Sequence, residues 1–199
     1  MPLDNRGLRL TLFAFAVLVI ACGKKDDAGM DGMAGASQTN DTTTIGTVAA
    51  GAWNDANIFA VLDEVNVSDS AHGALAATKA TSSAIRDYGR LMMRDHHGLR
   101  IQGEVLAKRL KITPTPPPND NLPADAQKAS DLLNATAKGK DFDKAYIDHE
   151  VENHKTVLEI ATKAMSDAQS TELKNMIQKA APTLQSHLDR AQSIQRSMQ

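Results

Sequence analysis

The sequence has little of what several common functional classes require. It contains a single cysteine in 199 residues, which excludes an intramolecular disulfide. Aromatic residues make up only 4%, the formal net charge is −2, and no basic block occurs, so a nucleic-acid partner is not expected. The sequence also lacks a glycine-rich phosphate loop, a G-x-S-x-G nucleophile elbow and an H-E-x-x-H zinc motif. These absences leave no recognisable catalytic motif and favour a protein that is not an enzyme.

The N-terminal residues have the pattern of a bacterial lipoprotein signal peptide. Two arginines, Arg6 and Arg9, come shortly before an apolar run that ends at Ala21. The run is about 12 residues long, whereas a membrane-spanning helix needs roughly 20. It ends in V-I-A-C, which resembles the lipobox, in which the cysteine is lipidated and becomes the new N-terminus. We therefore expect residues 1–21 to be a signal peptide and Cys22 to carry acyl chains that anchor the protein to a membrane.

The residues after the cysteine have the composition of a tether. Residues 22–52 are rich in Gly, Ala, Ser, Thr, Asp and Asn, and such a segment has too few large apolar residues to fold by itself. Gly23 occupies the place where an aspartate retains some Gram-negative lipoproteins in the inner membrane. The sequence therefore predicts an outer-membrane lipoprotein with a folded domain, residues 53–199, that faces the periplasm.

The folded domain shows the 3.6-residue apolar period of amphipathic helices. Four long helices are predicted, at about 55–80, 82–110, 142–165 and 170–196. A proline-rich segment, 113–118, precedes a short helix at about 124–137. Asp141 is predicted to cap the third long helix, and Pro182 to kink or split the fourth. Two short connections and one long one predict an all-α, ferritin-like antiparallel four-helix bundle, with a short extra helix in the long connection.

Polar residues interrupt the apolar stripe of every long helix. At a rise of about 1.5 Å per residue, those on the four helices fall at similar heights near the middle of the bundle. His97 and His149 lie off the stripes and are predicted to be solvated. The polar residues on the stripes, which form the candidate site, are Asp69, His72, Asp95, His96, Glu150, His154 and His187.

Two interpretations of this polar layer stay open. Imidazoles and carboxylates that meet in a bundle core can hold a metal ion, and these ligands suit zinc, iron, copper or manganese. The same groups can form a hydrogen-bond network that binds nothing. In the second case, the protein would be a structural or stress-response envelope protein with a protein or cell-wall partner. Because the helices lack the Glu-x-x-His pairs of dinuclear iron sites, a mononuclear or histidine-rich site is expected, and redox catalysis is the least favoured alternative.

Three segments resemble a bacterial exported family, catalogued as domain of unknown function 4142. Residues 91–96 (L-M-M-R-D-H) with 106–107 (L-A) resemble its M-x-x-D-H and L-A positions. Residues 142–146 (F-D-K-A-Y), followed by V-x-x-H at 151–154, resemble its second segment, and 182–188 (P-T-L-Q-S-H-L) its third. The resemblance implies a ferritin-like helical fold in the cell envelope, and it implies no activity.

The resemblance also places the family's recurring polar positions. They fall on Asp95, His96, Tyr146, His154 and His187. The first helix departs from the pattern, because Asp69 stands before Gly73 where a glutamate is common. His72 is additional to the pattern, so the metal that such a site would prefer is not fixed by the resemblance.

Overall fold

The structure is a computed structural model in which residues 51–199 are described. Helices account for the architecture of this part of the chain. The four long helices are α1 (Asp55–Lys79), α2 (Ser83–Leu110), α4 (Lys140–Asp167) and α5 (Thr171–Ser197), and the short α3 (Leu122–Ala135) lies in the long connection. α1 packs mainly on α2, and α4 mainly on α5. This confirms the predicted all-α bundle with its extra helix.

The predicted signal peptide, Cys22 and nearly all of the linker fall outside the described residues. Among the helices that are described, none combines the length and the apolar character that a bilayer crossing needs.

The helix ends follow local sequence signals, with one correction. Asn54 and Asn57 form a reciprocal capping box at the start of α1, and the Ser170 hydroxyl accepts from Leu173 N at the start of α5. The prediction that Asp141 caps the third long helix is wrong. Gly139, at φ 145°, is the N-cap of α4, and Asp141 lies in the first turn. A positive φ favours glycine, and the helix begins two residues earlier than a cap at Asp141 would place it.

α5 is continuous through Pro182. The helix extends from Thr171 to Ser197 with this proline inside it, so the alternative that Pro182 splits the helix is wrong. Pro182 itself is exposed to solvent.

Contacts of two aspartates, the buried Asp143 and the partly exposed Asp55, fix the short connections to distant helix ends. The carboxylate of Asp143 on α4 accepts from the backbone N–H groups of Thr81 and Ser82, at 2.8 and 2.7 Å, and from the Thr81 hydroxyl. The carboxylate of Asp55 accepts from the backbone N–H groups of Gln169 and Ser170. Each connection is therefore hydrogen-bonded to the opposite hairpin, which aligns the two hairpins along the bundle axis.

The apolar core is divided into two parts along the bundle axis. One part gathers residues near Trp53, Leu106, Val157 and Leu173, and the other gathers residues near Ile85, Phe142 and Leu188. On each long helix, the buried histidine falls between the residues of the first part and those of the second. A polar layer therefore separates two apolar layers at mid-height, as the stripe pattern predicted.

α1 and α2 cross at two glycines close to this layer. A Cβ on Gly73 would lie 2.6 Å from the Gly89 carbonyl oxygen, and a Cβ on Gly89 would lie 2.6 Å from that of Gly73. Only residues without a side chain allow this backbone approach. The crossing holds α1 and α2 close together next to His72 and Tyr88.

Candidate metal centre

Three histidines from three helices meet in the polar layer. His96 on α2, His154 on α4 and His187 on α5 each offer a ring nitrogen, and these nitrogens lie within 4.8 Å of one another. The rings are in mutual contact, with centroids 5.3 to 5.5 Å apart. His96 and His154 are fully buried, and His187 is 2% exposed. We call these three residues the histidine triad.

Each ring of the triad has one nitrogen with a partner and one without. The buried nitrogens that lack any hydrogen-bond partner are Nε2 of His96, Nε2 of His154 and Nδ1 of His187. Burying a polar atom without a partner is costly, so three such atoms in one place require an explanation.

The partner of His96 fixes its tautomer. Nδ1 of His96 lies 2.9 Å from Oδ1 of Asn66, and the Asn66 amide nitrogen donates to the Leu62 carbonyl oxygen at 2.6 Å. Since the amide nitrogen is already a donor, Oδ1 of Asn66 must accept from His96. His96 therefore carries its proton on Nδ1, and Nε2 presents a lone pair.

The same reasoning applies to the other two rings. Nδ1 of His154 donates to the backbone carbonyl oxygen of Glu150 at 3.0 Å, because a carbonyl oxygen can only accept. Nε2 of His187 donates to Oδ2 of Asp95 at 3.0 Å. Each buried ring therefore keeps its lone pair on the nitrogen without a partner and is held by a hydrogen bond through its other nitrogen. This is the arrangement found around metal-ligating histidines.

Burial keeps the triad neutral. It lowers the pKa of His96 to about 4 and that of His154 to about 4, since desolvation disfavours the imidazolium form. Burial also lowers the pKa of His187, although its hydrogen bond to Asp95 partly opposes that shift. Neutral imidazole is the ligand form, so the triad can hold a cation across the neutral pH range.

Two buried carboxyl groups line the triad. Oδ2 of Asp69 lies 3.4 Å from Nδ1 of His96, and Oε2 of Glu150 lies 3.4 Å from Nδ1 of His154. Desolvation raises the pKa of both carboxyl groups. Oδ2 of Asp69 and Oε1 of Glu150 have no hydrogen-bond partner, so acceptor capacity is left over next to the triad.

His72, by contrast, pairs with His149. Nδ1 of His72 lies 3.1 Å from Nε2 of His149, and Nε2 of His72 lies 2.9 Å from the Ser130 hydroxyl on α3. The prediction that His149 is solvated is therefore wrong, because the residue is half-buried with its ring edge-on to His72. The prediction for His97 is confirmed, because that residue is exposed.

The seven candidate residues thus divide into distinct roles. Three of them form the triad. Asp95 and Glu150 hold His187 and His154 through hydrogen bonds, and Asp69 lies against His96. Two buried asparagines that the sequence reasoning missed complete the layer, Asn66 on His96 and Asn153, whose amide donates to Asp69. Asn66 lies three residues before Asp69 on the stripe, which was the available signal.

An apolar cavity of about 270 Å³ lies next to the layer. Asn66 and Glu64 both line it, and no residue of the triad does. Burial and the neighbouring Asp120 raise the pKa of Glu64 to about 7. The candidate metal centre is therefore the polar layer and not the cavity.

The chain is similar to known proteins in its sequence family and in its fold. It is a helical bundle with a buried histidine cluster that could hold a metal ion. The model of the family described as domain of unknown function (DUF4142) matches residues 40–194, which is most of the chain, and the chain belongs to this family. The comparison with curated proteins gives no match.

Among solved structures, the chain is similar to one titled "CopM in the Cu(II)-bound form". The TM-score is 0.57 at 13% sequence identity, and the similarity covers 73% of this chain and 98% of that chain. At this identity the likeness shows a shared fold.

Proposed function

We propose that the protein binds a transition-metal ion through Nε2 of His96, Nε2 of His154 and Nδ1 of His187. The observation that carries the proposal is that these three buried nitrogens lack partners while each opposite nitrogen has one. A metal-free hydrogen-bond network among these three rings would instead have one of them donate to another. Here all three rings donate outward, which leaves only lone pairs inside.

The donor set narrows the class of metal. Three neutral imidazoles suit copper or zinc better than manganese, magnesium or calcium, which prefer oxygen ligands. The fold shared with a copper-bound protein supports copper as the first metal to test. A divalent ion nearby would favour ionisation of the neighbouring carboxyl groups of Asp69 and Glu150, and the resulting carboxylates would balance its charge in this buried position.

The setting of this activity is proposed from the sequence. A lipidated Cys22 would anchor the protein to the outer membrane, and residues 22–52 would tether the bundle in the periplasm. Since the envelope is the first compartment that external metal ions enter, a high-affinity site there would suit sequestration or sensing of metal.

Metal analysis of the purified, tag-free full chain tests the proposal. After incubation with copper(II) or zinc and removal of free metal, inductively coupled plasma mass spectrometry should detect bound metal at near-stoichiometric levels. A His96→Ala, His154→Ala, His187→Ala variant should lose that ion. The matched control, His97→Ala, removes an exposed histidine from the same helix as His96 and should bind as the wild type does.

Absence of binding would favour the alternative function. If the folded wild-type chain takes up no copper, zinc, iron or manganese, the polar layer is a structural network. The protein would then be a non-enzymatic envelope protein, and the search would turn to a protein or cell-wall partner.

A further inference from the structure

The histidine pair formed by His72 and His149 has no part in the triad, yet it has the features of a ligand pair. It joins α1 to α4, and its two facing nitrogens are 3.1 Å apart. Two nitrogens bound to one ion at roughly 2.0–2.1 Å would lie about 2.9 to 3.4 Å apart, depending on the coordination angle. The spacing therefore suits an ion in place of the shared hydrogen bond, once both rings have turned so that their lone pairs converge on it.

We propose that His72 and His149 form a second transition-metal site, nearer the surface, from which ions reach the buried triad. The inference rests on the proposed function of the triad. His149 is partly exposed, whereas His72 and the three triad rings are buried, so His149 is the histidine of the two clusters that solvent reaches first.

Ser130 holds His72 in the orientation that a ligand requires. Its hydroxyl lies 2.9 Å from Nε2 of His72 and can accept a hydrogen bond from Nε2–H, and in that tautomer the lone pair of His72 is on Nδ1, the nitrogen that contacts His149. The hydroxyl of Ser130 would thus orient His72 as Asp95 orients His187.

The proton balance of the pair is simple. When Ser130 accepts from Nε2–H of His72, Nδ1 of His72 is an acceptor, and Nε2–H of His149 donates to it in the metal-free pair. When an ion binds both nitrogens, the proton of His149 leaves Nε2 and Nδ1 of the same ring takes one up from solvent. No net proton is released, and the half-buried position of His149 allows that exchange.

Asp69 connects the two clusters. It lies three residues before His72, which places both side chains on one face of α1. Its Oδ2 lacks a hydrogen-bond partner and lies 3.4 Å from Nδ1 of His96, a member of the triad. A buried carboxylate oxygen between two imidazole clusters lowers the electrostatic cost of moving a cation from one cluster to the other.

Copper(II) titration of the tag-free full chain tests the inference, with two readouts. Electron paramagnetic resonance counts the bound ions at saturation, and stopped-flow absorbance follows the loading of the triad.

The wild type and His97→Ala should bind a second, weaker ion. His149→Ala should lose the second ion, keep the triad ion and load the triad about tenfold more slowly or worse, because local capture raises the effective ion concentration. Ser130→Ala should weaken the second ion and leave the triad ion in place.

The outcomes separate this inference from the proposed function. If the wild type binds the triad ion and His149→Ala matches His97→Ala in both readouts, the outer site is overturned and the triad stands. If His149→Ala loses the second ion with an unchanged loading rate, the delivery role is overturned. If the wild type binds no copper(II), both proposals fail. Because the triad ion is retained in His149→Ala, it also reports that the variant is folded.

Discussion

Nε2 of His187 lies 3.0 Å from Oδ2 of Asp95, and this contact decides which nitrogen of His187 faces the triad. Asp95 is adjacent to His96 in sequence, so one turn of α2 provides both a triad residue and the residue that orients another one. The exposed Arg94 guanidinium also contacts Asp95, at 2.7 Å. Although burial alone would raise the pKa of Asp95, the hydrogen bonds from Arg94 and His187 lower it, so the residue stays ionised near neutral pH.

Removal of Asp95 should therefore weaken metal binding without removing a ligand. We expect Asp95→Ala to lower the metal affinity by roughly 10- to 100-fold, the usual effect of losing a partner of a metal-bound histidine. The matched control is Asp87→Ala, which removes an exposed acid that pairs with Arg90 on the same helix. Competition with a chelator of known affinity measures the metal affinity of both variants. Equal metal affinities for Asp95→Ala and Asp87→Ala would contradict the role of Asp95.

The buried neutral state of His96 predicts a pH-dependent contribution to stability. Its pKa in the folded protein is about 4, against 6.5 for the ordinary group. The unfolded chain therefore takes up a proton first, so the stability that His96 contributes is complete above pH 6.5 and declines as the pH falls toward 4. We expect the stability difference between wild type and His96→Gln to shrink by about 2–3 kcal/mol from pH 7.5 to pH 4.5.

Urea denaturation of the metal-free proteins at both pH values measures this change. The comparison with His96→Gln removes the opposing effect of the buried acids Asp69 and Glu150, whose raised pKa values favour the folded state as the pH falls. A difference that does not change with pH would show that His96 is not buried in its neutral form.

The crossing of α1 and α2 depends on glycine at position 89. Gly89→Ala would place a methyl group 2.6 Å from the Gly73 carbonyl oxygen, so the helices would have to separate. We expect a loss of about 1–3 kcal/mol in the free energy of unfolding, the usual cost of overpacking. Gly98→Ala on the same helix has no heavy atom within 4 Å, and it should gain up to about 1 kcal/mol from helix propensity. The melting temperatures of the two variants, measured by thermal denaturation, should shift in opposite directions from that of the wild type.

Asp143 and Asp141 provide a test of the start of α4. Asp143→Ala removes the acceptor of three hydrogen bonds from residues 81 and 82 and should destabilise the fold by about 2–4 kcal/mol. Asp141→Ala removes an exposed first-turn acid and should cost less than about 1 kcal/mol. If Asp141→Ala proved the more damaging variant in urea denaturation, Asp141 would have the capping role predicted from the sequence.

The sequence predicted the helices and included the three triad histidines among its seven candidate residues, because both follow from one periodic signal. A long amphipathic helix buries one stripe, and His96, His154 and His187 interrupt the stripes of three helices at matching heights. The same reasoning failed for His149, because α4 has two covered faces. The short helix α3 lies over a second face, where Ser130 meets His72 and His72 meets His149.

The tautomers could not be predicted from the sequence. Which nitrogen of His187 faces inward depends on the side-chain geometry of Asp95, and which nitrogen of His96 does so depends on the amide orientation of Asn66. Helical spacing places these residues near one another, but it does not distinguish a donor from an acceptor. The choice between a metal site and a hydrogen-bond network therefore needed atomic positions.

X-ray absorption spectroscopy tests directly whether the histidine triad binds the metal ion. The tag-free full chain would be loaded with less than one equivalent of copper(II), so that the strongest site is filled first. For the wild type, we expect a first coordination shell that includes three imidazole nitrogens at about 2.0 Å from the copper ion. The multiple-scattering features of these imidazoles should be lost in the His96→Ala, His154→Ala, His187→Ala variant. A first shell of oxygen ligands without imidazole scattering, or one that the triple variant leaves unchanged, would contradict a metal centre at the triad.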